Sequence, residues 1–192
     1  MRSLKALFFV FVFVFVCNHA FAQDFSADII SSANGQVFYG KIFTSGGKVR
    51  MEAQGAINIV RPDKKLVWVI MPEQRMYMEM PLDVKNMLVG STKVANEQTR
   101  ELVAKDNIDG KEVSKYKVVY DSGNKKETLY MWVLEESDIP IKTLSEDGSW
   151  SIEYKNVKIG NVSADLFSMP SGYEKLSMGS PDMSRLGKML DK

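Results

Sequence analysis

Residues 55–81 read GAINIVRPDKKLVWVIMPEQRMYMEMP, and this stretch decides the fold class. It contains three short runs of strand-forming residues: Ala56 to Arg61, Leu66 to Met71 and Met76 to Met80. The runs are rich in aliphatic and aromatic side chains, which favour strands over helices. Pro62-Asp63 and Pro72-Glu73 separate them, and such pairs are typical of tight turns. Short strands joined by tight turns predict an antiparallel meander.

The same alternation of apolar and polar residues continues on both sides of this stretch. Further strands are predicted at Phe25 to Ser32, Gln36 to Thr44, Lys48 to Ala53, Lys115 to Asp121, Glu127 to Leu134, Ile139 to Leu144 and Trp150 to Ile159. Asn34-Gly35 is the strongest turn signal, because both residues accept the positive φ angles of a two-residue hairpin. We therefore predict a mainly β protein: a large antiparallel sheet curled into a half-open barrel, with a few short helices as a lid.

Four segments depart from the strand pattern. Leu82 to Val89 follows a proline and is predicted to form a short helix. Val94 to Leu102 fits a helix or a strand. Ala164 to Phe167 is predicted to form a helical turn, and a short amphipathic tail helix is predicted from about Pro181.

The first 22 residues read as a secretory signal peptide. Positive residues precede an apolar run from Ala6 to Val16, which is too short to span a bilayer. Ala20-Phe21-Ala22 places small residues where a signal peptidase reads, so we predict cleavage before Gln23 and export to the periplasm. The alternative is acylation of Cys17, which would anchor the protein to a membrane.

Cleavage would remove the only cysteine, Cys17, and the only histidine, His19. The remaining chain would then lack the thiol and the imidazole on which most nucleophile–base pairs depend. Ser114 and Lys117 match a Ser-x-x-Lys spacing, but they lie in a predicted strand, where residues three apart face opposite sides. No phosphate-binding or calcium-binding loop is present in the sequence. We therefore predict that the protein is not an enzyme and needs no cofactor.

The charge and the length of the chain limit its partners and its organisation. The formal net charge is +1, and no basic stripe points to a nucleic-acid partner. Residues 23–192 suit one domain with a real hydrophobic core, and we expect a monomer.

Three methionines in the third run are the most informative side chains for function. Met76, Met78 and Met80 alternate along the predicted strand and so share one face. Three interpretations remain open: plain core, the lining of a cavity for variable apolar ligands, or soft ligands for copper(I). The lining interpretation includes Trp68 and Ile70, which we predict to contact the same ligand as the methionines. No metal site is assigned.

Residues 55–62, followed by Leu66-Val67-Trp68 and Pro72, resemble the periplasmic outer-membrane lipoprotein carrier family, which is LolA-like and has related LolB-like receptors. Residues 165–173 look like the closing Phe-x-x-Pro-x-Gly segment of that family, and residues 108–116 look like an uncharacterised exported branch of it. The order and spacing of these motifs, which together cover most of Phe25 to Tyr173, carry the resemblance.

The resemblance implies an unclosed barrel with a helical lid over an apolar cavity that holds lipoprotein acyl chains. In the carriers, the arginine before the turn proline hydrogen-bonds to the lid, and Arg61 matches that position. The other interpretation of Arg61 is an exposed arginine at a strand end. The chain departs from the family where Phe25 starts a strand without a preceding helix, so the lid would have to come from Leu82 to Val89 and the tail helix.

These observations lead to one main hypothesis and two alternatives. The main hypothesis is a non-enzymatic periplasmic carrier-like protein that binds a lipoprotein acyl chain or another apolar ligand in a concave sheet. The first alternative is an envelope sensor or protein-interaction module with the same fold. The second is copper binding through the methionine face.

Overall fold

The structure of the protein is a computed structural model, and it describes residues 23–82, 92–123 and 125–176. Twelve strands are present: β1 (Phe25–Ala33), β2 (Gln36–Ser45), β3 (Lys48–Ala53), β4 (Ala56–Arg61), β5 (Leu66–Met71), β6 (Met76–Pro81), β7 (Glu97–Ile108), β8 (Lys111–Asp121), β9 (Lys126–Leu134), β10 (Pro140–Ser145), β11 (Trp150–Ile159) and β12 (Glu174–Leu176). Two 3-10 turns cover Pro62–Lys64 and Ala164–Phe167. The signal peptide, residues 83–89 of the predicted helix and the predicted tail helix lie outside the described residues.

All twelve strands belong to one sheet. Its strand order is β12-β6-β5-β4-β3-β2-β1-β11-β10-β9-β8-β7. Every neighbouring pair is antiparallel except β12 and β6, which run parallel. Since β7 and β12 end this order and do not pair with each other in the described part of the chain, the sheet is open. The predicted open antiparallel sheet is confirmed.

Local sequence explains the meander from β1 to β6. Asn34 and Gly35 connect β1 and β2 with φ angles of 51° and 82°, the left-handed conformation that the Asn-Gly signal predicts. The six strands pair in sequence order without a register shift. Side chains in one row across the strands therefore share a face of the sheet. One such row is Ala27, Ile42, Met51, Asn58, Val69 and Met78.

The main hydrophobic core joins the two halves of the sheet. Buried side chains from β1 to β4, such as Phe25 and Ile42, belong to one cluster with buried residues from β8 to β11, such as Val113 and Tyr154. Phe25 and Tyr154 are in ring contact, with centroids 5.9 Å apart. This arrangement requires a curled sheet. The face of β1 to β6 that carries Ala27, Ile42 and the rest of their row is called the inner face below.

The opposite face of β1 to β6, called the outer face, is covered over β3 to β6 by a later part of the chain. Residues 160–176, called the C-terminal segment, run over it and finish as β12 beside β6. Phe167 is 1% exposed and packs in one cluster with Ile59, Trp68 and Ile70 of the outer face. The sheet of β3 to β6 is therefore buried on its outer side by the same chain.

Most element boundaries agree with the sequence predictions. β3, β4, β5 and β11 have the predicted bounds, and the predicted helical turn at residues 164–167 is a 3-10 turn. The ambiguous segment after Val94 is resolved as a strand, which begins at Glu97 and extends to Ile108. Within the described residues, no helix is both long enough and apolar enough to cross a membrane.

Candidate functional site: an apolar cavity on the inner face

A cavity of about 280 Å³ opens on the inner face of the sheet. β1, β2, β3, β4 and β11 form its walls. Its main apolar side chains are Ile29, Phe38, Met51, Ile152 and Tyr154. An apolar pocket of this kind, with few polar groups, is the usual form of a small-molecule site.

Strand register brings these side chains together. Ile29 of β1 lies opposite Tyr154 of β11, and Ser31 lies opposite both Ile152 and Phe38. Because alternate residues of a strand face the same side, the spacing of two residues along β1 places Ile29 and Ser31 in one wall. The cavity is therefore a direct product of the pairing between β1 and its two neighbours.

Gly40 lies in the cavity wall at a point where the backbones of β2 and β3 are close together. It lies opposite Ile29 and Ala53 on the inner face. A Cβ atom at this glycine would lie 2.5 Å from the backbone oxygen of Glu52 and 3.0 Å from the Cβ of Ala53. Backbone contact this close leaves no room for a larger residue at Gly40. Because Gly40 and Ala53 carry at most a methyl group, they leave the space above them empty.

The polar groups of the cavity are few, and none of them is basic. Asn58 and Ser31 contribute an amide and a hydroxyl to the wall, and Gln54 lies at its edge, whereas the Glu52 side chain points to the outer face. The Glu52 carboxylate is paired with Arg50 at 2.7 Å. Among the described residues of the cavity wall, none is a lysine or an arginine. The site is therefore suited to an apolar ligand and offers no cation to an anionic group.

On the outer face, two arginines hold the C-terminal segment. Arg50 donates from Nη1 to the backbone oxygen of Leu166 at 3.0 Å, and Arg61 donates from Nη1 to that of Phe167 at 2.8 Å. Arg61 also donates to both carboxylate oxygens of Asp63, at 2.8 and 2.7 Å. Hydrogen bonds from Arg61 lower the pKa of Asp63 to about 2. This contact of Arg61 with the C-terminal segment is called the latch below.

Trp68 lies beneath this latch. The Arg61 guanidinium and the Lys64 ammonium lie 5.5 and 4.9 Å from the Trp68 ring centroid. The indole Nε1 of Trp68 donates to Glu79 at 3.3 Å, and Lys175 of β12 donates to the same carboxylate at 3.0 Å. Hydrogen bonds from Lys175 and then Trp68 lower the pKa of Glu79. The outer face therefore has paired polar groups as well as a filled apolar surface.

The structure divides the five residues predicted to contact a ligand between the two faces. Trp68 and Ile70 point to the outer face, where they are 7% and 0% exposed under the C-terminal segment. Met76, Met78 and Met80 point to the inner face, opposite Met71, Val69 and Val67. The methionines are partly buried, and they continue the inner face beyond the cavity walls. The packing of Trp68 and Ile70 counts against contact with a ligand.

The Ser-x-x-Lys pair is separated by the strand, as its spacing predicts. Ser114 donates to Glu135 at 2.8 Å, whereas Lys117 pairs with Glu146 at 3.2 Å. The two side chains lie on β8 and have different partners. Among the described residues, no cluster of three histidine, cysteine, aspartate or glutamate side chains is arranged to hold a metal ion.

A second, polar cavity of about 580 Å³ lies beside β7 and β8. Its central cation, Arg100, donates to Glu97 through two bonds of 2.8 and 2.7 Å and also bonds to the backbone oxygen of Thr92. Its guanidinium lies 5.3 Å from the centroid of the Tyr116 ring. Since Arg100 is already bound to Glu97 and to the backbone of Thr92, this cavity is the weaker candidate for a ligand site.

Asn58, Gly40, Ile29 and Tyr154 are site residues that the sequence did not single out. Alternation in β4 separates Asn58 from Ile57 and Ile59, but both faces of that strand are apolar. A strand that is apolar on both sides is predicted to be buried on both faces, but the pattern does not indicate which face contacts a ligand. The one usable signal was the polar Asn58 within a strand of otherwise apolar residues.

Comparisons with known proteins give matches in structure only. No protein-family model matches the chain, and no curated protein matches its sequence. Among solved structures, MucB in complex with MucA(peri) is similar over 81% of this chain and 57% of its own, at 14% identity and a TM-score of 0.49. LprF from Mycobacterium bovis is similar over 80% of this chain and 92% of its own, at 12% identity and a TM-score of 0.47.

A third match is a domain from Vibrio parahaemolyticus assigned to outer membrane lipoprotein sorting. It is similar over 76% of this chain and 89% of its own, at 8% identity and a TM-score of 0.36. These three similarities are to solved structures, at TM-scores below 0.5. This chain spans little more than half of the MucB chain.

Proposed function

We propose that the protein binds an acyl chain, or a ligand of similar apolar character, in the inner-face cavity. The observation that carries this proposal is the cavity of about 280 Å³ with walls of Ile29, Phe38, Met51, Ile152 and Tyr154. Burial of apolar surface supplies the main driving force for such a ligand, at roughly 0.8 kcal/mol for each methylene group removed from water.

The methionines extend this site. Met78 lies in the same row as Asn58, with Val69 between them, so an apolar surface leads from the cavity toward β6. Flexible thioether side chains adapt to ligands of different shape. An acyl chain longer than the cavity can hold would continue along Met76, Met78 and Met80.

The role that fits this site is that of a carrier-like protein of the cell envelope, of the kind that acts in lipoprotein sorting. The signal peptide and its cleavage before Gln23 would place the protein in the periplasm, and acylation of Cys17 would instead anchor it to a membrane. Binding and release of a ligand need no catalytic residue, so the protein is proposed to act without an enzymatic step.

A blocked cavity tests the proposal. Ser31→Trp places an indole in the cavity wall, whereas Ser26→Trp places one on the same strand but on the outer face. Titration with a fluorescent acyl probe should show saturable binding to the wild type and to Ser26→Trp, and a loss of at least about tenfold in Ser31→Trp. Equal binding by both variants, or no saturable binding by the wild type, would contradict the proposal.

A second candidate function is an envelope protein-interaction module, and edge strand β7 favours it. Leu102 and Val103 on this strand are 50% and 49% exposed, at a β-bulge between Leu102 and Ala104. An edge strand presents backbone groups that pair with another chain. Leu102→Lys together with Val103→Lys should abolish a protein complex and leave acyl binding unchanged. If the double variant loses acyl binding instead, β7 belongs to the lipid function.

A further inference from the structure

Asn58 is the polar side chain that stands out on the inner face. Its row consists otherwise of Ala27, Ile42, Met51, Val69 and Met78, which are all apolar. The side chain faces the cavity and is partly buried. A single amide among apolar neighbours in a ligand-sized cavity is the arrangement that fixes the orientation of a ligand.

The amide of Asn58 has no hydrogen-bond partner among the described residues. Thr44, another polar residue of the inner face, is different: its Oγ1 accepts from the backbone N–H of Phe25 and donates to the backbone oxygen of Gln23, both at 3.2 Å. Polar groups inside a protein are normally paired with another protein group or with water. The hydroxyl of Thr44 is thus hydrogen-bonded within the protein, whereas the amide of Asn58 is available to water or to a ligand.

The charges around the cavity select the ligand head group. Among the described residues that line the cavity none is a lysine or an arginine, and the Glu52 carboxylate points to the outer face, where it pairs with Arg50. An anionic head group placed here would lose its hydration without gaining an opposite charge, which is costly. A neutral ester or amide carries no such penalty. The Asn58 amide can donate to a carbonyl oxygen and accept from an amide N–H.

The volume limits the apolar part of the ligand. An apolar cavity of about 150 Å³ holds one benzene molecule, which has six carbon atoms. A cavity of about 280 Å³ is nearly twice as large and so holds roughly a dozen carbon atoms. One acyl chain of medium length fits this space, whereas several chains packed side by side do not.

We propose that the cavity takes a single acyl chain of about a dozen carbons joined to a neutral carbonyl group, and that Asn58 recognises this group. The inference rests on the proposed function and deepens it, because it names the chemical class of the ligand. Two consequences follow. An amide should bind more tightly than the carboxylate with the same chain, and Asn58 should be responsible for part of that difference.

The test compares two probes, dodecanamide and dodecanoate, at pH 8 by titration calorimetry on the mature protein. The wild type should bind the amide at least about tenfold more tightly than the carboxylate. Asn58→Leu, which keeps the size but removes the hydrogen bond, should weaken amide binding about five- to tenfold and change dodecanoate binding less than about twofold. Asn107→Leu, on the exposed part of β7, is the control and should behave as the wild type.

Thermal unfolding of each variant shows whether it is folded, and Asn58→Ser provides a smaller, polar replacement that should retain part of the preference. If both probes bind the wild type equally and Asn58→Leu changes neither, the role of Asn58 is refuted while the apolar site stands. If neither probe binds although the protein is folded, the proposed function fails and this inference fails with it. If only dodecanoate binds, the head-group assignment is refuted.

Discussion

The two faces of β1 to β6 are built from the same strands but are completed in different ways. Over β3 to β6 the outer face is filled by Phe167 and closed by hydrogen bonds from Arg50 and Arg61. On the inner face, the described residues leave a cavity of about 280 Å³, and they supply no hydrogen-bond partner to the Asn58 amide in its wall. The inner face is therefore the one whose cavity is proposed to hold a ligand.

The largest expected effect comes from removing the residue that fills the outer face. Phe167→Ala should lower the free energy of unfolding by about 3–5 kcal/mol, because it leaves a cavity beneath the C-terminal segment. Phe38→Ala, on the inner face, removes the same atoms from a partly buried position and should cost only about 1–2 kcal/mol. Urea denaturation measures both. Equal losses would mean that the inner face is as tightly packed as the outer face.

The next effect concerns the narrow wall of the cavity. Gly40→Ala should lower the free energy of unfolding by about 1–3 kcal/mol, because the added methyl group meets the Glu52 backbone oxygen. Without that contact the same substitution would stabilise the protein by about 0.4–1 kcal/mol, since alanine has less freedom than glycine in the unfolded chain. The sign of the change in a denaturation experiment therefore decides whether the strands are as close as the structure shows.

A smaller effect is expected from the latch on the outer face. Arg61→Gln should lower the free energy of unfolding by about 1–2 kcal/mol, because a charged hydrogen bond to the Phe167 carbonyl is lost. Amide hydrogen exchange should become faster in residues 163–173. Arg75→Gln, at an exposed turn, serves as the control and should change stability by less than about 0.5 kcal/mol. Unaltered exchange in the C-terminal segment of Arg61→Gln would rule out a latch.

The smallest effect is a dependence on pH. The folded pKa of Asp63 is lowered to about 2 by its hydrogen bonds with Arg61, below the unfolded value of about 3.9. The stabilisation is therefore fully present above about pH 5 and is lost as the pH falls toward 2. Because Asp63 is half exposed, its contribution is under about 1 kcal/mol. The stability difference between the wild type and Asp63→Asn should shrink on acidification; a difference that grows would contradict the assignment.

The strands could be predicted from the sequence. Which side chains of neighbouring strands share a face was harder to predict. Turn signals such as Asn34-Gly35 and the two proline turns give β1 to β6 their bounds. The relation between Trp68 and the methionines depends on register: the turn after Met71 pairs that residue with Met76, which places Trp68 opposite Glu79. The length of a hairpin loop sets this register, and a shift of one residue reverses the faces.

The site itself could be predicted only in kind. The sequence indicates an apolar concave sheet, but the cavity depends on contacts between β1, β2 and β11, and β11 lies more than 110 residues further along the chain than its partner. Likewise, the contact of Arg61 with Phe167 joins residues 106 positions apart. The resemblance to the carriers predicts a latch at Arg61, and its partner in the described residues is the C-terminal segment rather than a lid helix.

Photo-crosslinking with a neutral twelve-carbon acyl amide that carries a diazirine tests the difference between the two faces most directly. After irradiation and digestion, mass spectrometry should locate saturable crosslinks on the inner-face residues of β1 to β4 and β11, including Met51, Asn58 or Tyr154, and none on residues 163–176. Excess unlabelled amide should remove them. Crosslinks concentrated on the C-terminal segment or on the outer face would contradict the assignment of the inner face as the binding site.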